Sequence, residues 1–218
     1  MDKKPTIIVG SGPILNPNLG DFVDSFARVM RFNKFVTEGW EGAVGSKITD
    51  WFFIGGNMQR KLSKWKAGDL LANSMNGLER VLIRVENKVI DPCHLELYRI
   101  FGIPSENLFI VNRGGGGVPE DRRLWVDEEF FKYIIGRLGA YPTTGILGIL
   151  LVLEHYCDPP VPLVGFGPSD KFVNCHYYND WKHDDPRDPS VKKAHPWHKE
   201  RELINEWERE GLVERCDT

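Results

Sequence analysis

Residues 141–167, YPTTGILGILLVLEHYCDPPVPLVGFG, constrain the fold of this chain more than any other stretch. They divide into a turn, a helix and a strand. Pro142 closes off what precedes it, and Thr143 and Thr144 are residue types whose side-chain oxygen satisfies an orphan amide of a helix's first turn. Gly145 lets another group approach the backbone there. Ile146, Leu147, Ile149, Leu150, Leu151, Val152 and Leu153 are then apolar nearly all round, the mark of a helix buried on every side. This run is shorter than the roughly 20 residues that cross a bilayer, so the helix belongs in a protein core. After Pro159 and Pro160, residues 161–164 read as a core strand ending at Gly165-Phe166-Gly167. The helix start has two readings: an ordinary capped core helix, or an anion site made by free amides and the helix dipole.

The rest of the chain repeats this alternation. Residues 6–9 form a β-branched run, read as a buried strand, that empties into Gly10-Ser11-Gly12-Pro13. A strand followed by a Gly-rich turn brings backbone amides up to a phosphate. Here the third glycine of a dinucleotide fingerprint is absent and no clear helix follows at once, so a plain tight turn also accounts for it. Residues 26–32 are a second strand ending in Arg31-Phe32-Asn33, 42–49 (GAVGSKIT) a polar loop, and 50–54 a third strand. Strands at 81–85 and 108–111 follow, the latter running into four glycines at 114–117 that fit a mobile loop or a phosphate cradle. Helical spacing covers 92–101 and 126–138, the second with Phe130, Phe131, Ile134, Ile135 and Leu138 on one face. Residues 171–178 read as a strand or strand end, and 179–193 are polar, with little to bury. Proline favours the first helical position, so Pro196 puts His195 at or near an N-cap. Leu203, Ile204 and Trp207 line that helix, Gly211 ends it, and 212–214 could be a last strand. Alternating strands and helices predict a three-layer α/β/α sandwich around a mainly parallel sheet, as one domain over 1–218.

A net charge of −3 supplies no global attraction to nucleic acid or anionic membrane. The four cysteines, Cys93, Cys157, Cys175 and Cys216, show no C-x-x-C spacing. Cys93-His94 and Cys175-His176 lack the short-loop ligand pairs of structural zinc sites, and a reducing compartment fits best. Asp184-Asp185 is not an Asp-x-Asp set at a strand-to-loop turn, and its surroundings read as solvated loop, so no metal or other cofactor is expected. Met-Asp-Lys-Lys runs directly into a strand, which predicts neither leader nor membrane anchor and a soluble, cytoplasmic chain.

Four segments, in order, resemble the sialyl motifs of the sialyltransferase family. Motif L is similar to VGSGPIL, VMRFN and EGAVGSKIT between Ile7 and Thr49. Motif S is similar to PTTGILGILL and VGFG between Pro142 and Gly167. Motif III is similar to His176-Tyr177-Tyr178, and motif VS to His195 through Glu200, a His-x4-Glu. The resemblance spans nearly the whole chain. It implies a Rossmann-like, GT-A-like fold and an inverting, metal-independent glycosyltransferase. That enzyme would move an acidic sugar from CMP-sialic acid, or from CMP-Kdo as plant members do, to a glycan or glycolipid hydroxyl. The family usually carries Asn where Ser11 stands. Cys157 matches the motif S cysteine, but its usual partner would fall near Thr6, so that disulfide cannot form. The chain thus resembles a soluble prokaryotic or viral member, with acceptor-binding insertions trimmed.

The chemistry needs a base to take a proton from the acceptor hydroxyl, and histidine suits neutral pH. A helix N-terminus keeps an imidazole neutral, so His195 is the expected base, with His198 the competing candidate. His176, Tyr178 and the amides around Thr143, Thr144 and Gly145 would steady the departing phosphate. Ser11, Gly12, Asn33 and Ser46 would hold phosphate, ribose or base, while Gly165 and Phe166 lie at a strand's C-terminal end, where ligands dock in open α/β sheets. Residues 179–194, tethered between His176 and His195, would form a lid anchored by Trp181. Two other functions stay open: another nucleotide-dependent α/β enzyme such as a nucleotide hydrolase, or a nucleotide- or glycan-binding member without transfer activity.

Overall fold

The computed structural model describes residues 3–33, 35–54, 77–84, 108–111, 123–124, 126–167 and 196–216. Among them are eight strands: β1 (Thr6–Val9), β2 (Arg28–Phe32), β3 (Asp50–Ile54), β4 (Arg80–Arg84), β5 (Leu108–Val111), β6 (Arg123–Leu124), β7 (Val161–Val164) and β8 (Val213–Arg215). They form one sheet in the order β6-β5-β4-β3-β2-β1-β7-β8, and every pairing is parallel. The chain works outward from β1 to β6, then returns to the far side of β1 for β7 and β8. The strand order therefore reverses between β1 and β7, the place where open parallel sheets leave a crevice at their C-terminal edge.

Both faces of the sheet are covered, which is why its strands read as unbroken apolar runs. Ile7, Val9, Val29 and Val164 point to one face, where they meet Val23 of α1 (Gly20–Asp24) and Ala43 and Val44 of α2 (Glu41–Val44). Ile8, Met30, Phe32, Phe52 and Leu82 point to the other, against α4 (Thr144–His155), with α3 (Glu128–Leu138) and α5 (Trp197–Arg209) packed beside it. Every residue of α4 from Ile146 to Val152 is buried. At about 1.5–3 kcal/mol for each fully buried large aliphatic side chain, this helix is the main apolar contribution of its layer. Gly148 allows the close approach: a Cβ there would lie 2.4 Å from the Phe32 ring.

The three-layer sandwich matches the sequence expectation, and β3, β5 and β7 have the expected bounds. Two local expectations need correction. The polar loop of 42–49 begins as α2, because Ala43 and Val44 have a buried Arg31 to close the helix end beneath them. The Arg31 guanidinium donates to the carbonyls of Val44 (2.7 Å), Gly45 (3.1 Å) and Lys47 (3.0 Å). The β1 turn is as expected: no helix follows it at once, and α1 begins only after residues 10–19. Pro196 is the N-cap of α5 rather than its first helical residue, since the amides of Lys199 and Glu200 both donate to its carbonyl. His195 therefore precedes the cap. The helical spacing at 92–101, the glycines at 114–117 and the strand and lid over 171–194 fall outside the described residues.

The N-terminal edge of the sheet is locked by charge. Asp50 is fully buried, 2.6 Å from Arg80 and 3.6 Å from Arg28, and both guanidinium groups also lie over the Tyr156 ring at the end of α4. Burial raises the Asp50 carboxyl to about 7, against the Thr49 hydroxyl and Arg28, which lower it. Cys157 rests against Thr6 of β1: burial raises its thiol, and contacts with the Thr6 backbone and hydroxyl lower it. Thr6 thus occupies the place beside Cys157 that a second cysteine would need.

Candidate active site

The turns after β1 and β7 are packed backbone against backbone. The amide of Gly10 donates to Val164 (2.7 Å) and that of Gly12 to Gly165 (3.0 Å). No side chain fits between them. A Cβ on Gly10 would lie 2.6 Å from the Gly165 carbonyl oxygen, and one on Gly12 2.5 Å from the same atom. Gly165 is left-handed (φ +74°), and its Cβ would meet the Gly10 carbonyl at 2.6 Å. The glycines of the two predicted motifs are therefore one construction, which holds half-buried Ser11 at the mouth of the crevice.

Two more elements reach this mouth. Asn33 ends β2 at φ 43°, a conformation asparagine tolerates better than most residues. Its amide donates to Phe52 (2.9 Å) and its carbonyl accepts from the Trp51 indole (2.7 Å). That leaves the side chain pointed across the edge, its Nδ2 3.4 Å from the Thr144 Oγ1. The N-terminus of α4 enters from the other side, capped by Thr143, whose Oγ1 accepts from Ile146 at 3.5 Å. Phe166 fills the space between: a Cβ on Gly145 would lie 3.1 Å from its ring, one on Gly10 2.9 Å, and Phe32 meets it edge-on at 6.3 Å. Ser11, Gly12 and Asn33 of motif L thus meet Thr143, Thr144, Gly145, Gly165 and Phe166 of motif S at one place, beside the positive end of α4. Backbone amides in such a position suit an anion such as a phosphate.

The other expected site residues fare differently. Ser46 is set apart, ahead of the first residue of β3 and so at the opposite edge of a parallel sheet. Its amide and hydroxyl both donate to the Asp24 carboxylate, at 2.9 Å or slightly longer. Burial raises the Asp24 carboxyl, but the bonds from Ser46 and Lys47 more than offset it, and the net shift is downward. His176, Tyr178 and His195 lie outside the described residues. His198, in the first turn of α5, is exposed.

Glu200, the acid of the His-x4-Glu, has no role of its own among the expected site residues. Glu200 is only 6% exposed and accepts from both the amide (2.7 Å) and the hydroxyl (2.9 Å) of Thr143. A signal for it exists in the sequence. Residues 200, 203, 204 and 207 share one helix face, so the carboxylate stands on the apolar stripe formed by Leu203, Ile204 and Trp207. A charge on a buried face needs a partner.

Among the described residues, no cluster of His, Cys, Asp or Glu is placed to hold a metal, and no helix is long and apolar enough to cross a membrane.

The chain is similar to several known proteins. The pig CMP-N-acetylneuraminate-beta-galactosamide-alpha-2,3-sialyltransferase 1 is 29% identical over 180 residues, covering 81% of this chain and 47% of that protein. The mouse alpha-2,3-sialyltransferase 2 is 28% identical over 187 residues, 81% of this chain and 46% of its own length. The chain thus spans about half the length of these animal relatives. A crystal structure of a mammalian sialyltransferase in complex with Gal-beta-1-3GalNAc-ortho-nitrophenol superposes with a TM-score of 0.59 at 24% identity, covering 99% of this chain and 70% of that one. The sialyltransferase CstII from Campylobacter jejuni, in complex with cytidine-5'-monophosphate, gives 0.50 at 13% identity, with 99% and 81% covered. The profile of glycosyltransferase family 29 (sialyltransferase) matches residues 4–212, and the chain belongs to that family.

Proposed function

We propose that this chain transfers sialic acid from CMP-sialic acid to a glycan hydroxyl, with inversion at the anomeric carbon, without a metal, and with His195 as general base. The observation that carries this reading is the convergence of the α4 N-terminus, the glycine turns after β1 and β7, and Asn33 at the point where the strand order reverses. In this scheme the CMP phosphate lies at the amides of Thr144 and Gly145, and Ser11, Gly12 and Asn33 border the nucleoside. The acceptor oxygen attacks the anomeric carbon as His195 takes its proton. The bond from that carbon to the phosphate oxygen breaks, and CMP departs with the electron pair. The helix dipole, His176 and Tyr178 would stabilise the charge that grows on the phosphate. A monophosphate leaving group asks for few donors, which is why no metal is invoked.

A relative named for a beta-galactoside substrate and a solved structure holding Gal-beta-1-3GalNAc-ortho-nitrophenol make a β-galactoside the first acceptor to try. CMP-Kdo is the alternative donor. A second reading is nucleotide or glycan binding without transfer. Incubation with CMP-sialic acid, with and without a β-galactoside, followed by mass spectrometry of the glycan, separates them. A sialylated product supports the proposal. CMP binding with no product, from this donor or from CMP-Kdo, contradicts transfer and supports the second reading.

A further inference from the structure

We infer that Trp51 is a positioning residue for the donor site: its indole holds the bend at Asn33 and so aims the Asn33 side chain across the crevice. The inference rests on the proposed reading of that crevice as a CMP site. Trp51 lies beyond the motif L resemblance, which ends at Thr49, and no expected role falls on it. It is fully buried in β3, opposite Arg31 in the register with β2, and its ring packs on that of Phe53 at 4.5 Å. A buried indole needs an acceptor for its N–H. That acceptor is the Asn33 carbonyl, at 2.7 Å. Asn33 has φ 43°, the one positive φ at a non-glycine among the described residues. A Cβ disfavours this backbone, so the bend persists only where the surroundings hold it. Two bonds from β3 do so. The Phe52 carbonyl accepts the Asn33 amide at 2.9 Å, which fixes the peptide before the bend, and the indole fixes the peptide after it. Together they set the direction in which the side chain leaves. The contact of Asn33 Nδ2 with Thr144, at 3.4 Å, is too long to set that direction by itself.

Site-specific replacement of Trp51 by benzothienylalanine, in which sulfur takes the place of the indole N–H, removes the bond and keeps the shape of the ring. Trp51→Phe removes the bond together with part of the ring. Leu82→Ala, in buried β4, is the control for lost packing. The variants are compared for melting temperature, CMP affinity by NMR titration, and kcat and KM for CMP-sialic acid. If about one Asn33 in ten stays aimed, CMP affinity falls about tenfold, and both Trp51 variants should show a loss of that size. The donor KM should rise alike, with kcat within about threefold. Leu82→Ala should melt lower yet keep CMP affinity within about twofold. The decisive measurement is a cycle with Asn33→Gly, which tolerates the bend but has no side chain to aim. In that background, loss of the indole N–H should change CMP affinity by less than about twofold. An equal loss in both backgrounds, or wild-type affinity in the benzothienylalanine variant, overturns the inference. If Trp51→Phe fails to fold, the benzothienylalanine variant decides. If the wild-type chain binds no CMP, the donor-site reading has failed rather than this one. A crystal structure of the benzothienylalanine variant then decides: Asn33 turned out of its left-handed bend, or its side chain turned away from Thr144, supports the positioning role, and an unchanged Asn33 overturns it.

Discussion

The packing of the β1 and β7 turns predicts a graded series of glycine-to-alanine substitutions. Gly136, inside α3, has no atom within 4 Å of an added Cβ and no positive φ, so Gly136→Ala should stabilise the protein by about 0.5–1 kcal/mol. Gly211 has φ +72° and open space, so alanine there meets only the left-handed backbone cost of about 1–2 kcal/mol. Gly12 has no positive φ, but its Cβ would lie 2.5 Å from a backbone carbonyl that no rotamer change can move. Overpacking of that kind costs about 1–3 kcal/mol. Gly165 combines φ +74° with a 2.6 Å clash, and the two contributions sum to about 2–5 kcal/mol. That is a large share of a stability of order 5–15 kcal/mol. Reversible urea unfolding followed by tryptophan fluorescence gives the order directly, with CMP titration of each folded variant in parallel. The predicted order of stability is Gly136→Ala, wild type, Gly211→Ala, Gly12→Ala, Gly165→Ala, with CMP affinity lost in the last two only. Gly12→Ala and Gly165→Ala variants as stable as wild type, with CMP affinity intact, would refute the close-packed crevice.

Further expectations concern the chemistry and the fold. His195→Ala should lower transfer by about 10²–10⁴-fold with CMP affinity nearly unchanged, as read by a transfer assay and calorimetry on one preparation. Activity within a few-fold of wild type would remove His195 from the role of base. Dialysis against EDTA should leave the transfer rate unchanged, and a loss restored by manganese would redirect attention to Asp184 and Asp185. Thr6→Cys should cross-link to Cys157 under oxidation, because the Cys157 thiol already rests against the Thr6 backbone and hydroxyl. Closing a loop of roughly 150 residues stabilises by up to about 5 kcal/mol in the chain-entropy account. A free thiol at both positions after oxidation, read by mass spectrometry, would contradict that juxtaposition.

The layered fold was legible because periodicity carries it. Runs such as 161–164 are short, continuous and apolar, which is what a strand covered on both faces requires. The apolar circumference of 146–153 likewise admits only a buried helix. The short helices α1 and α2 were not legible, since four or five residues are too few to display a helical period. What holds α2 is a side chain from β2, the buried Arg31, and a bond across some 13 residues leaves no local trace. The glycines at 10, 12 and 165 were visible as motifs, but their mutual contact was not, because it depends on β1 and β7 becoming neighbours. Ser46 was assigned by its motif to the nucleotide. The structure puts it at the other edge of the sheet with Asp24, because residues that precede a parallel strand lie at the opposite end from those that follow one. Glu200 was within reach: a carboxylate on an apolar helix face announces a buried partner, although only the fold reveals that the partner is Thr143.

The central claim is that a CMP phosphate is held where α4 begins, at the reversal of strand order between β1 and β7. A crystal structure of the chain soaked in CMP tests it most directly. The account predicts phosphate oxygens about 2.9 Å from the amides of Thr144 and Gly145, with the nucleoside along Ser11, Gly12 and Asn33. A CMP bound elsewhere, with its phosphate at Ser46 or away from the α4 N-terminus, would contradict it.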